Sequence, residues 1–112
     1  MILFLRSQKN RTIVDIECFV KTEYEGNSSR KFIELHATVI INEYSKFLLE
    51  NLDRKEEIIS DFHDMSELRG WLWENFFMGD DNDPEKYGEV IEELRTMIKG
   101  FANKYNLYYV ED

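Results

Sequence analysis

The sequence predicts an α+β fold: an antiparallel sheet of about four strands, with two or three helices packed on one face. Three observations carry this expectation. Residues 12–24 and 31–41 alternate in character with period two, as half-buried strands do. Residues 87–101 carry an apolar stripe at helical spacing. Leu107-Tyr-Tyr-Val110 then returns to a strand-forming composition after a run of helix-breaking residues.

Residues 1–24 and 30–41 read as strands, with a short turn at Gln8-Lys-Asn10 after the first. In strand two, Val14, Ile16, Cys18 and Val20 share one side, which ends at Tyr24. Ile13, Asp15, Glu17, Phe19 and Lys21 share the other. In strand three, Ile33, Leu35, Ala37, Val39 and Ile41 oppose Phe32, Glu34, His36, Thr38 and Ile40. Glu25-Gly-Asn-Ser-Ser29 is a turn between them, so the two form an antiparallel hairpin.

Tyr44, Phe47, Leu48 and Leu52 fit helical spacing, with Asn42 as N-cap. Leu49 fits that stripe poorly, which leaves a strand as the alternative. Glu57–Phe62 is either a short strand or a continuing helix. Asp64 and Glu67 have capping-box spacing, predicting a helix from there to about Phe77 that ends near Gly79. On it Met65, Leu68, Trp71, Leu72 and Phe76 share a face, with Trp73 and Phe77 on the flank. Asp83-Pro84 opens the last helix, whose stripe is Tyr87, Val90, Ile91, Leu94, Met97, Ile98 and Phe101. The fold then requires Ile33, Leu35, Val39, Val90, Leu94, Ile98 and Phe101 to be buried together. The final strand is expected to join the N-terminal sheet.

A length of 112 residues suits one domain, and no repeat or linker divides it. Two Trp, six Tyr and eight Phe are too much apolar matter for a disordered tail. The single Cys18 excludes an internal disulfide and is expected to be a buried apolar group. No stretch approaches the apolar length of a membrane helix, and Met1–Leu5 stops at Arg6, short of a secretory core. A cytoplasmic protein is the expectation. Ala occurs only at Ala37 and Ala102, whereas Ile, Lys, Asn, Tyr and Phe abound, a codon bias that points to a low-GC bacterium, its phage or a mobile element.

The net charge is −9. Residues 1–41 are nearly balanced, but residues 56–93 hold thirteen acids against two bases, a net of −11. Such a field repels nucleic acid and speeds association with a basic protein. The expected binding surface comprises Trp73, Phe77, Glu74, Asp80, Asp81 and Glu85: aromatic anchors in an acidic surround. A competing role for the acids is helix capping and solvation of the outer face.

Chemical motifs are sparse. Asp81, Asp83, Glu85 and Glu92 have calcium-loop spacing, but Lys86 occupies the position that requires Gly, and Pro84 favours a helix start. Neither a zinc spacing nor a phosphate-cradling Gly loop is present, so no metal or cofactor is expected. Glu34 and His36 point the same way on strand three, within reach of Glu17 or Asp15 across the hairpin. These are the weak candidates for acid–base chemistry, and a concave wall beside them would be required. The favoured function is a non-enzymatic binding module of inhibitor, immunity or regulatory type, docking its acidic helical layer on a basic partner protein. The alternatives are a small enzyme or ligand-binding protein using the Glu/His face, and a homo-oligomer joined through Ile13, Phe19, Phe32 and Ile40 or an edge strand.

Overall fold

A computed structural model describes residues 1–78 and 81–112. Strands β1 (Ile2–Arg6), β2 (Thr12–Glu25) and β3 (Ser28–Val39) come first. Helices α1 (Ile41–Glu50), α2 (Lys55–Ser66), α3 (Leu68–Phe76) and α4 (Tyr87–Lys104) follow, and β4 (Tyr108–Glu111) closes the chain. The sheet is antiparallel throughout, in the order β3-β2-β1-β4. The C-terminal strand β4 forms one edge of the sheet and pairs with β1, so the chain's first and last strands lie side by side, as expected.

The β2–β3 turn needs only two residues. Gly26 takes φ +58, a left-handed value that a side chain would strain, and Ser28 pairs directly with Glu25. Residues 20–31 of this hairpin extend beyond the helices and are exposed throughout, giving extents of 54 × 25 × 20 Å. The expected turn after β1 closes through Ser7 and Asn10, with Asn10 at φ 59.

One expectation about the sheet is corrected. The β1–β2 register shifts between Leu5 and Arg6, so Leu5 opposes Val14 while Arg6 opposes Thr12. Ile13 is the extra residue of this bulge. Instead of lying on the outer face, it is fully buried, as is Val14 beside it. Ile13 is therefore lost from the apolar set proposed for oligomer contacts, while Phe19 and Phe32 stay half-buried and Ile40 is exposed.

The middle segment is helical. Ile58, Phe62 and Met65 recur at intervals of four and three and are buried, which selects helix over strand for residues 57–62. The same stripe carries α2 past Asp64. Asp64 thus lies inside a helix and does not cap one, which corrects the capping-box reading. The break comes at Glu67, where the Ser66 hydroxyl donates to the His63 carbonyl (2.6 Å). Asn42 is not a cap either. β3 runs into α1 without a loop: the Ile40 N–H still donates to the sheet at Ile13, and its carbonyl already accepts from Tyr44.

The last helix opens as its sequence indicates. Asp83 Oδ1 accepts from the Glu85 N–H (3.0 Å), and Pro84 begins a 3-10 turn that leads into α4. It ends with Asn106 at φ 54 while the Leu107 N–H bonds the Ala102 carbonyl (2.8 Å), a Schellman closure.

One core joins the layers. Leu3, Leu5, Val14, Ile16, Cys18, Ile33 and Leu35 from the sheet meet Phe47, Phe62, Leu68, Leu72, Val90, Leu94 and Ile98 from the helices. Helices α2 and α3 lie over β3, whereas α4 lies over β2 and β4. Val39 and Phe101 belong to this core but remain partly accessible, because both sit at its margin.

Candidate functional site

Two surfaces carry the residues singled out by sequence. The first is the outer side of the helical layer. Helix α3 turns Leu68 and Leu72 inward, both buried, which leaves Trp71 half-buried at the layer's edge. Met97 and Phe101, one helical turn apart on α4, lie across from it. Between them runs a groove of about 460 Å³, floored by Leu68, Trp71, Met97 and Phe101. Gly70 lines it without a side chain, and a Cβ added there would touch nothing within 4 Å. Asp64, Glu67 and Glu74 form one rim. A second cleft of about 400 Å³ shares Trp71 and Met97 and extends the groove to Glu92, Glu93 and Thr96. The Trp71 ring is braced edge-on by Phe76 at 5.5 Å.

The rim is electrostatically uncompensated. Among the described residues, Asp64, Glu67, Glu74 and Glu93 form no ion pair. Glu92 alone of the lining acids is paired, with Arg95 at 2.8 Å. Arg95 is itself shared with Glu111 (2.7 Å), so little of its charge is left for the groove.

The expected anchors are rearranged. Trp73 is 49% exposed, whereas Phe77 is fully buried. Phe77 packs edge-on beneath Trp73 at 5.4 Å, with the Lys86 ammonium over its ring at 5.8 Å. Because it leaves α3 at the C-cap, its side chain turns into the core, which corrects its reading as a surface anchor. Glu74 belongs to the groove rim. Asp81 and Glu85 are exposed on the segment leading to α4 and do not line the groove. Asp80 lies outside the described residues. Lys86, the cation within this acidic run, donates to the Phe76 carbonyl at the end of α3 (2.7 Å).

The second surface is the uncovered sheet face. Here the structure brings Glu17, Glu34 and His36 together as expected: Glu17 sits opposite His36 in register, and His36 Nε2 lies 2.8 Å from Glu34 Oε1. The other Glu34 oxygen meets Lys21 Nζ at 2.5 Å. Lys21 and His36 hold the Glu34 carboxyl below its ordinary range, so it is a poor proton acceptor near neutrality. Asp15, two residues from Glu17, is shifted upward by burial and by that neighbouring carboxylate. Its Oδ1 is buried without a hydrogen-bond partner. None of the clefts described above is lined by these residues. The arrangement is a cross-strand ion-pair ladder on an open face.

Cys18 is fully buried, and burial pushes its thiol up to about 11, which removes nucleophilic character. Among the described residues, no group of three or more His, Cys, Asp or Glu side chains could hold a metal ion. No helix among them is long and apolar enough to cross a membrane.

The groove floor was hidden in the sequence. Trp71, Met97 and Phe101 all sit on apolar stripes and read as core. The available signal was stripe width: more apolar positions lie on α3 and α4 than one sheet contact can cover. No family model matches the chain, and no curated protein or solved structure matches it either.

Proposed function

We propose that this chain is a non-enzymatic protein-binding module, of inhibitor, immunity or regulatory type, that docks its acidic helical layer on a basic partner protein. The observation that carries the reading is the α3–α4 groove, in which carboxylates, all but Glu92 without an ion pair among the described residues, border an apolar floor. Solvation alone explains acids on an outer face. It does not explain why Trp71 and Phe101 remain accessible among them, since covering aromatic surface stabilises by about 25 cal/mol per Å². Aromatic floors within charged rims are the usual anatomy of protein interfaces. Trp73 is exposed on the same helix but points away from Trp71 and lines neither cleft.

The test is affinity capture from the cells that make the protein, at low and high salt. Wild type is compared with a Glu67→Lys, Glu74→Lys, Glu93→Lys triple variant. A basic protein held at low salt, and lost from the triple variant, supports the reading. Equal capture by both forms, or capture of nucleic acid, overturns it.

A further inference from the structure

We infer that the α3–α4 groove receives an amphipathic α-helix of the partner, apolar along one stripe and basic on both flanks. This rests on the binding-module reading and specifies its ligand. The two clefts share Trp71 and Met97 and so form one channel along the helices. Both walls are helical: Leu68 and Trp71 belong to α3, Met97 and Phe101 to α4.

That wall chemistry selects the occupant's conformation. Mid-helix N–H and C=O groups are already bonded within their own helices. The channel therefore offers no sheet edge to which an extended peptide could add as a strand. Such a peptide would lose water from its backbone and gain no partner, a substantial cost for every buried amide. A helical ligand arrives with its backbone satisfied and needs only to present side chains.

Charge selects the flanks. Asp64, Glu67 and Glu74 border one side, and Glu92 and Glu93 border the other. A ligand helix lying between them meets carboxylates on both sides, so Lys or Arg is required on each side of its apolar stripe. The same rims repel an acidic helix or an anionic lipid surface.

The probe is a fluorescein-labelled Leu/Lys peptide designed as an amphipathic helix. It is compared with a scrambled peptide of equal composition and with a variant carrying a central Pro. Anisotropy titrations read affinity, and indole N–H shifts report on Trp71. The designed helix is expected to bind at least about tenfold more tightly than either control and to move the Trp71 signal. Gly70→Leu fills the channel without altering charge, and replaces a helical glycine by a stronger helix former, so the fold is preserved. It is expected to weaken the designed helix about tenfold.

Equal binding of all three peptides, insensitive to Gly70→Leu, overturns the helix inference while leaving an acidic docking surface in place. No binding of the designed helix overturns it as well. Failure of the capture experiment, by contrast, removes the binding-module reading itself.

Discussion

Asn82 closes the β3 edge at Ile33. Its Oδ1 accepts from the Ile33 N–H at 2.8 Å, and its Nδ2 donates to the Ile33 carbonyl at 2.8 Å. The amide thus imitates a neighbouring strand at a single residue and ties the segment before α4 to the sheet. Each such bond contributes about 1 kcal/mol net. Water can reach the edge once the side chain is gone, so Asn82→Ala is expected to cost ~1–2 kcal/mol in total. For a chain of 112 residues this lowers Tm by about 4–8 °C. Urea unfolding measures the stability, and amide hydrogen exchange at Ile33 reads the contact directly. Asn82→Asp adds a sign test. Ionised, its carboxylate faces the Ile33 carbonyl; protonated, it can donate there and accept from the N–H. Folding therefore raises this carboxyl's pKa, and its stability relative to wild type improves as pH falls through that value. A loss below ~0.5 kcal/mol in Asn82→Ala, with Ile33 exchange unchanged, would refute the clasp.

The remaining predictions probe the core and the outer sheet face. Phe77→Ala is expected to cost ~3–5 kcal/mol in chemical unfolding, whereas Trp73→Ala costs under about 1 kcal/mol, because only the first leaves a buried cavity. Asp15 has a raised pKa in the folded state, so its charge destabilises above that pKa and has no effect below the unfolded value of 3.8. Asp15→Asn should therefore stabilise at neutral pH, with the gain vanishing in acid when melting is followed across pH. Glu34 has the opposite sign. Its contribution is present above the ordinary carboxyl value of 4.5 and is lost as pH falls through its lower folded value, so Glu34→Gln should destabilise only at the higher pH. Cys18 should resist an aromatic disulfide reagent at neutral pH and react at the rate of global unfolding.

If the groove receives a basic helix, the molecule divides its labour by layer. The sheet supplies a rigid floor for α3 and α4, which hold Trp71 and Phe101 at fixed separation. The acids around them steer a basic partner before contact and align it on arrival. The long β2–β3 hairpin lies outside this arrangement, and its exposed stretch carries Lys21, Arg30 and Lys31 against Glu23 and Glu25. The polarity of the sequence is thereby preserved in three dimensions, with the acids on the helices and a balanced sheet.

The sequence by itself determined the four strands, the β2–β3 hairpin, the last helix and the final strand. Each rests on a local signal: period-two alternation, the turn-forming run Glu25-Gly-Asn-Ser-Ser29, Asp83-Pro84 before an apolar stripe, and the breaking run Asn103-Lys-Tyr-Asn106 after it. It also placed Glu34 and His36 on one side of strand three with Glu17 or Asp15 within reach, and the two-residue turn then fixed the register that sets Glu17 opposite His36. Tertiary structure decided what depends on distant partners. Asp64 has good capping chemistry, yet burial of Ile58, Phe62 and Met65 drew it into a continuing helix. Ile13 alternates as an outer-face residue, yet a bulge set by pairing with β1 turned it inward. Phe77 and Trp71 exchanged roles for the same reason. A helical stripe fixes which residues are apolar, but only the neighbouring helix fixes how much of that stripe it covers. The groove is the part that α4 leaves uncovered.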